Sequence, residues 1–172
     1  MTDAIRQWVA DKSGLTAIWL HPNAPRPAKP YAGLQVLSVQ RVGRAYYGPV
    51  NAEGVSAVAF DREAVVSINI YESTETPDPR SALERASDLR DTLELRSVRD
   101  TLASNGWSLR AVELLTDAPE LLDTTWEPRA VFDVRFGTRK SLLDDLGIIE
   151  TAEITGTVSG RTVDETLTQE GQ

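Results

Sequence analysis

The sequence contains no cysteine and a single histidine, His21. The first absence removes disulfides, thiolate metal sites and cysteine nucleophiles. The second excludes any site built on two imidazoles and weakens acid–base mechanisms that depend on one. Long apolar runs are missing as well, since none approaches the roughly 18 residues needed to cross a bilayer. Positive charge is in short supply: 18 Lys and Arg stand against 26 Asp and Glu, a net charge of −8 over 172 residues. A pI near 4.7 repels phosphate at long range and argues against a dedicated nucleic-acid binder. Asp3, Arg6, Asp11 and Lys12 make the N-terminus unlike a secretory signal. A reducing, cytosolic setting fits this composition.

What is present suits one globular domain. The hydrophobic fraction is 41% and the charged fraction 26%, close to soluble averages, so wholesale disorder is not expected. The length suits one real core and is short for two.

Residues 3–13 predict an amphipathic helix with Ala4, Ile5, Trp8 and Val9 on one face. Thr2 or Asp3 can cap it, and Gly14 sits at its stop. Leu15 to Leu20 reads as a strand. Pro22, Pro25, Pro27 and Pro30 then impose an extended connection that cannot lie inside a sheet. Tyr31 to Val42 reads as a strand, and residues 43–61, with weak periodicity, as a long loop or ragged hairpin. Arg62 to Tyr71 is the clearest strand, with Val66, Ile68 and Ile70 alternating with Ser67, Asn69 and Tyr71.

Asp78 and Pro79 form a helix-start pair. Ala82, Ala86, Leu89 and Leu93 make one apolar stripe, and Leu95, Val98 and Leu102 a second one out of phase. The slip predicts a break near 95–97, with Ser97 as a new cap, and a stop at Asn105–Gly106. Trp107 to Leu115 reads as a strand, and residues 117–125 as a loop or single turn. Pro128 to Gly137 is a strong strand, with Ala130, Phe132, Val134 and Phe136 facing one way. Residues 148–158 make a last strand before a polar tail over 159–172, expected to be mobile. The order predicts an α+β domain over 1–158, a mostly antiparallel sheet with helices packed on one face.

Catalytic motifs are weak. Gly43 and Gly48 have the spacing of a phosphate loop, but Pro49 and Val50 stand where Lys and Ser or Thr belong, so a turn is expected. Neither GxGxxG nor GxSxG occurs. Asp117, Glu120 and Asp123, and the pair Asp144–Asp145, lack calcium-loop spacing and read as solvated acidic surface. No cofactor or metal is expected. Trp8, Trp19 and Trp107 read as core. Trp126, beside Glu127–Pro128–Arg129, reads as an interface anchor or as packing within the subunit. Alternation sends Glu127 and Arg129 away from the core face, where each can meet an opposite charge on a neighbouring strand or subunit.

The succession Pro30–Tyr31–Ala32–Gly33–Leu34, then Val65 to Tyr71, then Asn105–Gly106–Trp107, then Trp126–Glu127–Pro128–Arg129–Ala130 resembles the neck or tail terminator proteins of tailed bacteriophages. The likeness spans roughly residues 4–158. It implies a non-enzymatic virion structural protein, assembled in the host cytoplasm as a homohexameric ring. Such a ring caps the tail tube protein and joins it to the head–tail connector proteins. Genomic DNA passes through it without specific binding, and no membrane is involved. Tyr31, Trp126, Glu127 and Arg129 are the candidate subunit-interface residues. The alternative function is a monomeric α+β adaptor that binds a peptide at a sheet edge.

Size arithmetic agrees with a six-fold ring. A domain of this length has a radius of gyration near ~16 Å and a diameter of roughly 40 Å. Six such spheres leave a hole about 40 Å across, enough for a duplex roughly 20 Å wide, and three leave about 6 Å, by the same estimate.

Overall fold

The computed structural model describes residues 3–21, 25–74, 81–122, 125–147, 151–158 and 161–168. The chain divides into two units, one of residues 1–42 and 61–139, the other of residues 43–60 and 140–172.

The first unit holds the hydrophobic core. Helix α1 (Asp3–Ser13) buries Ile5, Trp8 and Val9. Strand β1 (Thr16–Trp19) pairs in parallel with the start of β2 (Tyr31–Val50), from Thr16 opposite Tyr31 to Trp19 opposite Leu34. Strand β3 (Val55–Tyr71) lies next to β2. Helix α2 (Ala82–Asp91) starts at Ser81, whose side chain accepts from the Glu84 N–H, while the Glu84 carboxylate accepts from the Ser81 N–H. That reciprocal pair satisfies two otherwise orphaned donors at the helix start. The expected cap at Asp78 and Pro79 lies outside the described residues.

A turn of 3-10 helix (Thr92–Glu94) follows, and helix α3 (Arg96–Ser104) begins after Leu95, which is extended at φ −71°, ψ 125°. The break falls where the two apolar stripes slip. The cap differs from expectation: Leu95 occupies it with no side-chain bond, and Ser97 lies inside the helix. The Arg99 side chain closes the break, its Nε donating to the Leu93 carbonyl at 2.6 Å.

Strands β4 (Ser108–Val112) and β5 (Thr116–Asp117) both pair antiparallel with β8 (Arg129–Asp145). The sheet order is β1-β2-β3-β8-β4. The parallel β1–β2 pair makes this sheet mixed, and its other pairings are antiparallel, in line with the mostly antiparallel sheet expected. The parallel pairing follows from the Pro-rich connection, which carries the chain back to the same end before β2 starts. Between β5 and β8, strands β6 (Glu120–Leu122) and β7 (Thr125–Glu127) form a small antiparallel pair where a loop was expected.

Alternation sorts the long strands. Ala32 and Leu34, then Ala64, Val66, Ile68 and Ile70, then Ala130, Phe132, Val134 and Phe136 are buried in one cluster. The same cluster includes Ile5, Trp8 and Val9 of α1, Ala86 and Leu89 of α2, and Val98 and Leu102 of α3. The indole N–H of Trp8 donates to Thr92 Oγ at 3.0 Å, which satisfies a polar atom carried into the core. Trp107 stands edge-on to Phe136, with ring centroids 6.0 Å apart. One buried ion pair lies at the margin: Arg85 Nε of α2 is 2.6 Å from Glu72 Oε1, with side chains 8% and 5% exposed.

The second unit contains the C-terminal part of β2, the N-terminal part of β3, the C-terminal part of β8, and a hairpin of β9 (Thr151–Val158) and β10 (Arg161–Thr168). One expectation is resolved here and another changes. Residues 43–50 and 55–60 are strand, joined by a tight turn over 51–54, which is the hairpin of the two alternatives and not the long loop. Residues 161–168 are a strand paired with β9, where a mobile tail was expected. In the turn, Gly54 takes φ +77°, and a Cβ there would stand 2.5 Å from the carbonyl group of Gly147. Only glycine meets both demands.

Candidate functional site

The polar face of the first unit's sheet gathers the residues singled out by sequence. Odd-numbered positions of β2, β3 and β8 point away from the hydrophobic cluster. Tyr31 and Tyr71, from the first residue of β2 and the last of β3, stack with ring centroids 4.6 Å apart and planes 16° apart. The Arg26 guanidinium lies 5.7 Å from the Tyr71 centroid and that of Arg129 lies 6.0 Å from it. Both distances are within cation–π range. Ser67 and Asn69 continue this face along β3 as buried polar residues.

Glu127 is buried at 3% exposure, and its Oε1 lies 2.5 Å from Lys29 Nζ. Its second oxygen has no hydrogen-bond partner among the described residues. Arg129 donates to Glu120 Oε2 at 2.8 Å. These two pairs tie the Pro-rich connection and the β6–β7 pair to the sheet. Burial pushes the Tyr31 phenol above its ordinary pKa, and the nearby Arg26 charge opposes that shift. A cleft of 330 Å³ opens beside the stack, lined by Ile18, Leu20, His21, Arg26, Gln35, Tyr71, Glu120 and Arg129.

The four candidate residues therefore divide. Tyr31 is 1% exposed and Glu127 is buried, so both find their partners inside the chain. Arg129 is partly exposed, at 26% of its side chain. Trp126 is 59% exposed and borders them. Both charges sit on the side that alternation assigns, and each has an opposite charge beside it. Sequence reading missed Arg26, Lys29, Tyr71 and Glu120. Tyr71 carried a signal, since it ends the clearest strand on the polar side. Lys29 and Glu127 are too far apart in the chain for any local pattern to join them.

Among the described residues no group of three or more His, Asp or Glu side chains is placed to hold a metal ion. No helix among them is long and apolar enough to cross a membrane. What this face offers is ion pairs, stacked rings and one exposed indole, the material of contact between protein surfaces. Residues 1–162 match the family described as phage neck terminator protein, and the chain belongs to that family. Its members are structural proteins of the bacteriophage neck. A search of the curated proteins finds no match to the chain.

Proposed function

We infer that this protein is the subunit of a homohexameric ring that terminates the tail tube and joins it to the head connector. The family match over 162 residues carries this reading. In it, the helices are held to one face of the sheet, and Trp126 and Arg129 meet neighbouring proteins from the other. Tyr31 and Glu127 act behind them, fixing the β7–β8 corner that presents the indole. The work is geometric: polymerisation of the tube stops at the ring, and the neck docks on its far side. Its acidic charge suits a passage that must not retain DNA, because releasing counterions by phosphate neutralisation is what holds DNA to a protein. The ring assembles in the host cytoplasm and remains in the virion.

Light scattering and electron microscopy test this. Purified protein, alone or with tail tubes, should give rings with a mass near six times 18.9 kDa. Particles lacking the protein should carry overlong tubes or headless tails. A monomer in solution and on tubes, with tails of normal length in its absence, favours the peptide-binding adaptor instead.

A further inference from the structure

In the second unit the β2–β3–β8 ribbon has an unpaired margin on each side among the described strands. β3 lies between β2 and β8. The turn over 51–54 sets the end of β2 beside the start of β3, and the Leu146 N–H donates to the Gly54 carbonyl at 3.0 Å, which sets the end of β8 there too. Hence β2 and β8 run in the same direction on either side of β3. On its other side β2 has only β1 for a neighbour, and that pairing ends at Leu34. On its other side β8 has only β5 and β4, and that pairing ends at Gly137. Among the described strands, residues 43–50 of β2 and 140–145 of β8 are therefore bonded on one side only.

Both margins expose large apolar side chains, although the 140–145 margin also carries Lys140, Asp144 and Asp145. Tyr46, Tyr47 and Val50 are 66%, 71% and 53% exposed, and Leu142, Leu143 and Leu146 are 49%, 80% and 59% exposed. Adjacent residues point to opposite faces of a strand, so apolar side chains stand in water on both faces. Edge strands are normally blunted by charge, and from Ala45 to Val50 only Pro49 opposes pairing.

The geometry points to a second copy of this chain as the occupant: the 43–50 margin of one subunit pairs with the 140–145 margin of the next, head to tail. Two observations select this over pairing of like margins. Residues 31–50 contain no acidic side chain, so β2 against β2 sets Arg44 near Arg44, whereas β8 brings Asp144 and Asp145. Pairing of like margins also uses one margin per subunit and leaves the other open. Head-to-tail pairing uses one of each, and in a closed ring neither margin of this ribbon stays open. The inference rests on the ring reading above and names the surface that closes it.

The protein has no native cysteine, so Tyr46→Cys and Leu142→Cys can be introduced singly and together. A short bismaleimide, which tolerates a small uncertainty in register, is added to purified protein and to particles. The double variant should give a ladder of linked species ending at the hexamer, and each single variant should stay monomeric on a denaturing gel. A linked dimer from either single variant, or no ladder from the double variant, overturns the proposal. Tyr47→Lys and Leu143→Lys, both at exposed positions, should lower the ring population at least tenfold with an unchanged circular dichroism spectrum. Rings that persist in both overturn it equally. Rings of the double variant that yield no ladder overturn the strand pairing and leave the ring reading intact. Wild-type protein that is monomeric in solution and in particles overturns the ring and the pairing together.

Discussion

Lys29 and Glu127 form an ion pair of unequal members: the Glu127 side chain is 2% exposed and that of Lys29 is 35% exposed. The carboxylate is the desolvated partner, and the lysine brings it a charge from the solvent side. Replacing Lys29 by Met should therefore cost about 1–3 kcal/mol, the penalty for stranding a buried acceptor. Glu127→Gln in the Lys29→Met background should recover part of that loss. Urea unfolding of the three proteins measures both effects, and equal stability of wild type and Lys29→Met refutes the assignment.

The Glu72–Arg85 pair is buried on both sides. Removing either partner alone should cost about 3–5 kcal/mol, because the other is left charged and buried. Replacing both by Leu should cost much less, since two charges then no longer need desolvating. A double-mutant cycle in guanidinium chloride gives the coupling. Additive losses would mean the two residues act independently.

Asp61 and Arg139 are linked by hydrogen bonds of 2.9 and 3.4 Å. The bond from Arg139 holds the Asp61 carboxyl below its ordinary value of 3.8. A depressed folded-state pKa contributes stability that is present above the ordinary value and is lost as pH falls through the lower, folded one. Arg139→Met should move the Asp61 titration up toward its ordinary position, as followed by carboxyl NMR. An unmoved titration would show that Arg139 does not hold the carboxylate.

The Tyr31 phenol is shifted the other way, upward from 10.0, chiefly by burial. The unfolded chain then ionises first as pH rises, so stability is unaffected below about 9 and falls once the unfolded phenol titrates. Tyr31→Phe removes this term, and its unfolding midpoint should fall less between pH 9 and pH 11 than that of the wild type. Identical slopes would place the alkaline sensitivity elsewhere.

Arg129→Ala should leave the subunit folded, because its partly exposed pair with Glu120 is worth at most about 1 kcal/mol. Trp126→Ala should shift stability by less than about 0.5 kcal/mol for the same reason of exposure. Both should impair capping, seen by microscopy as overlong tubes or headless tails. Normal particle yield and tail length in both variants would remove this corner from the assembly surface.

The core was legible wherever one face of an element is dry. The alternation from Ala130 to Phe136 and from Val66 to Ile70 gives both the strand and its buried side, and the phase slip before Val98 locates the helix break. Legibility fails where neither face is dry. Residues 43–50 mix exposed Tyr46 and Tyr47 with glycine and Arg44, so no period of two is written there although the backbone is strand. β10 fails for a related reason, since its polar sequence writes no apolar alternation although it pairs with β9 along its length. At the candidate face the positions of Glu127 and Arg129 follow from local alternation. Their partners Lys29 and Glu120 depend on chain reversals that no short window contains.

The four tryptophans lie in unlike surroundings: Trp8 and Trp107 are each 5% exposed, Trp19 is partly buried, and Trp126 is 59% exposed. The chain thus carries its own optical reporter at the corner proposed to meet other proteins. Most of the emission that acrylamide can quench should come from Trp126, at the red end of the spectrum. Engagement of that corner should shift this component to the blue and shield it, while the light from Trp8 and Trp107 stays as a built-in reference. Assembly can then be followed in unlabelled protein, in real time, with Trp126→Phe as the dark control.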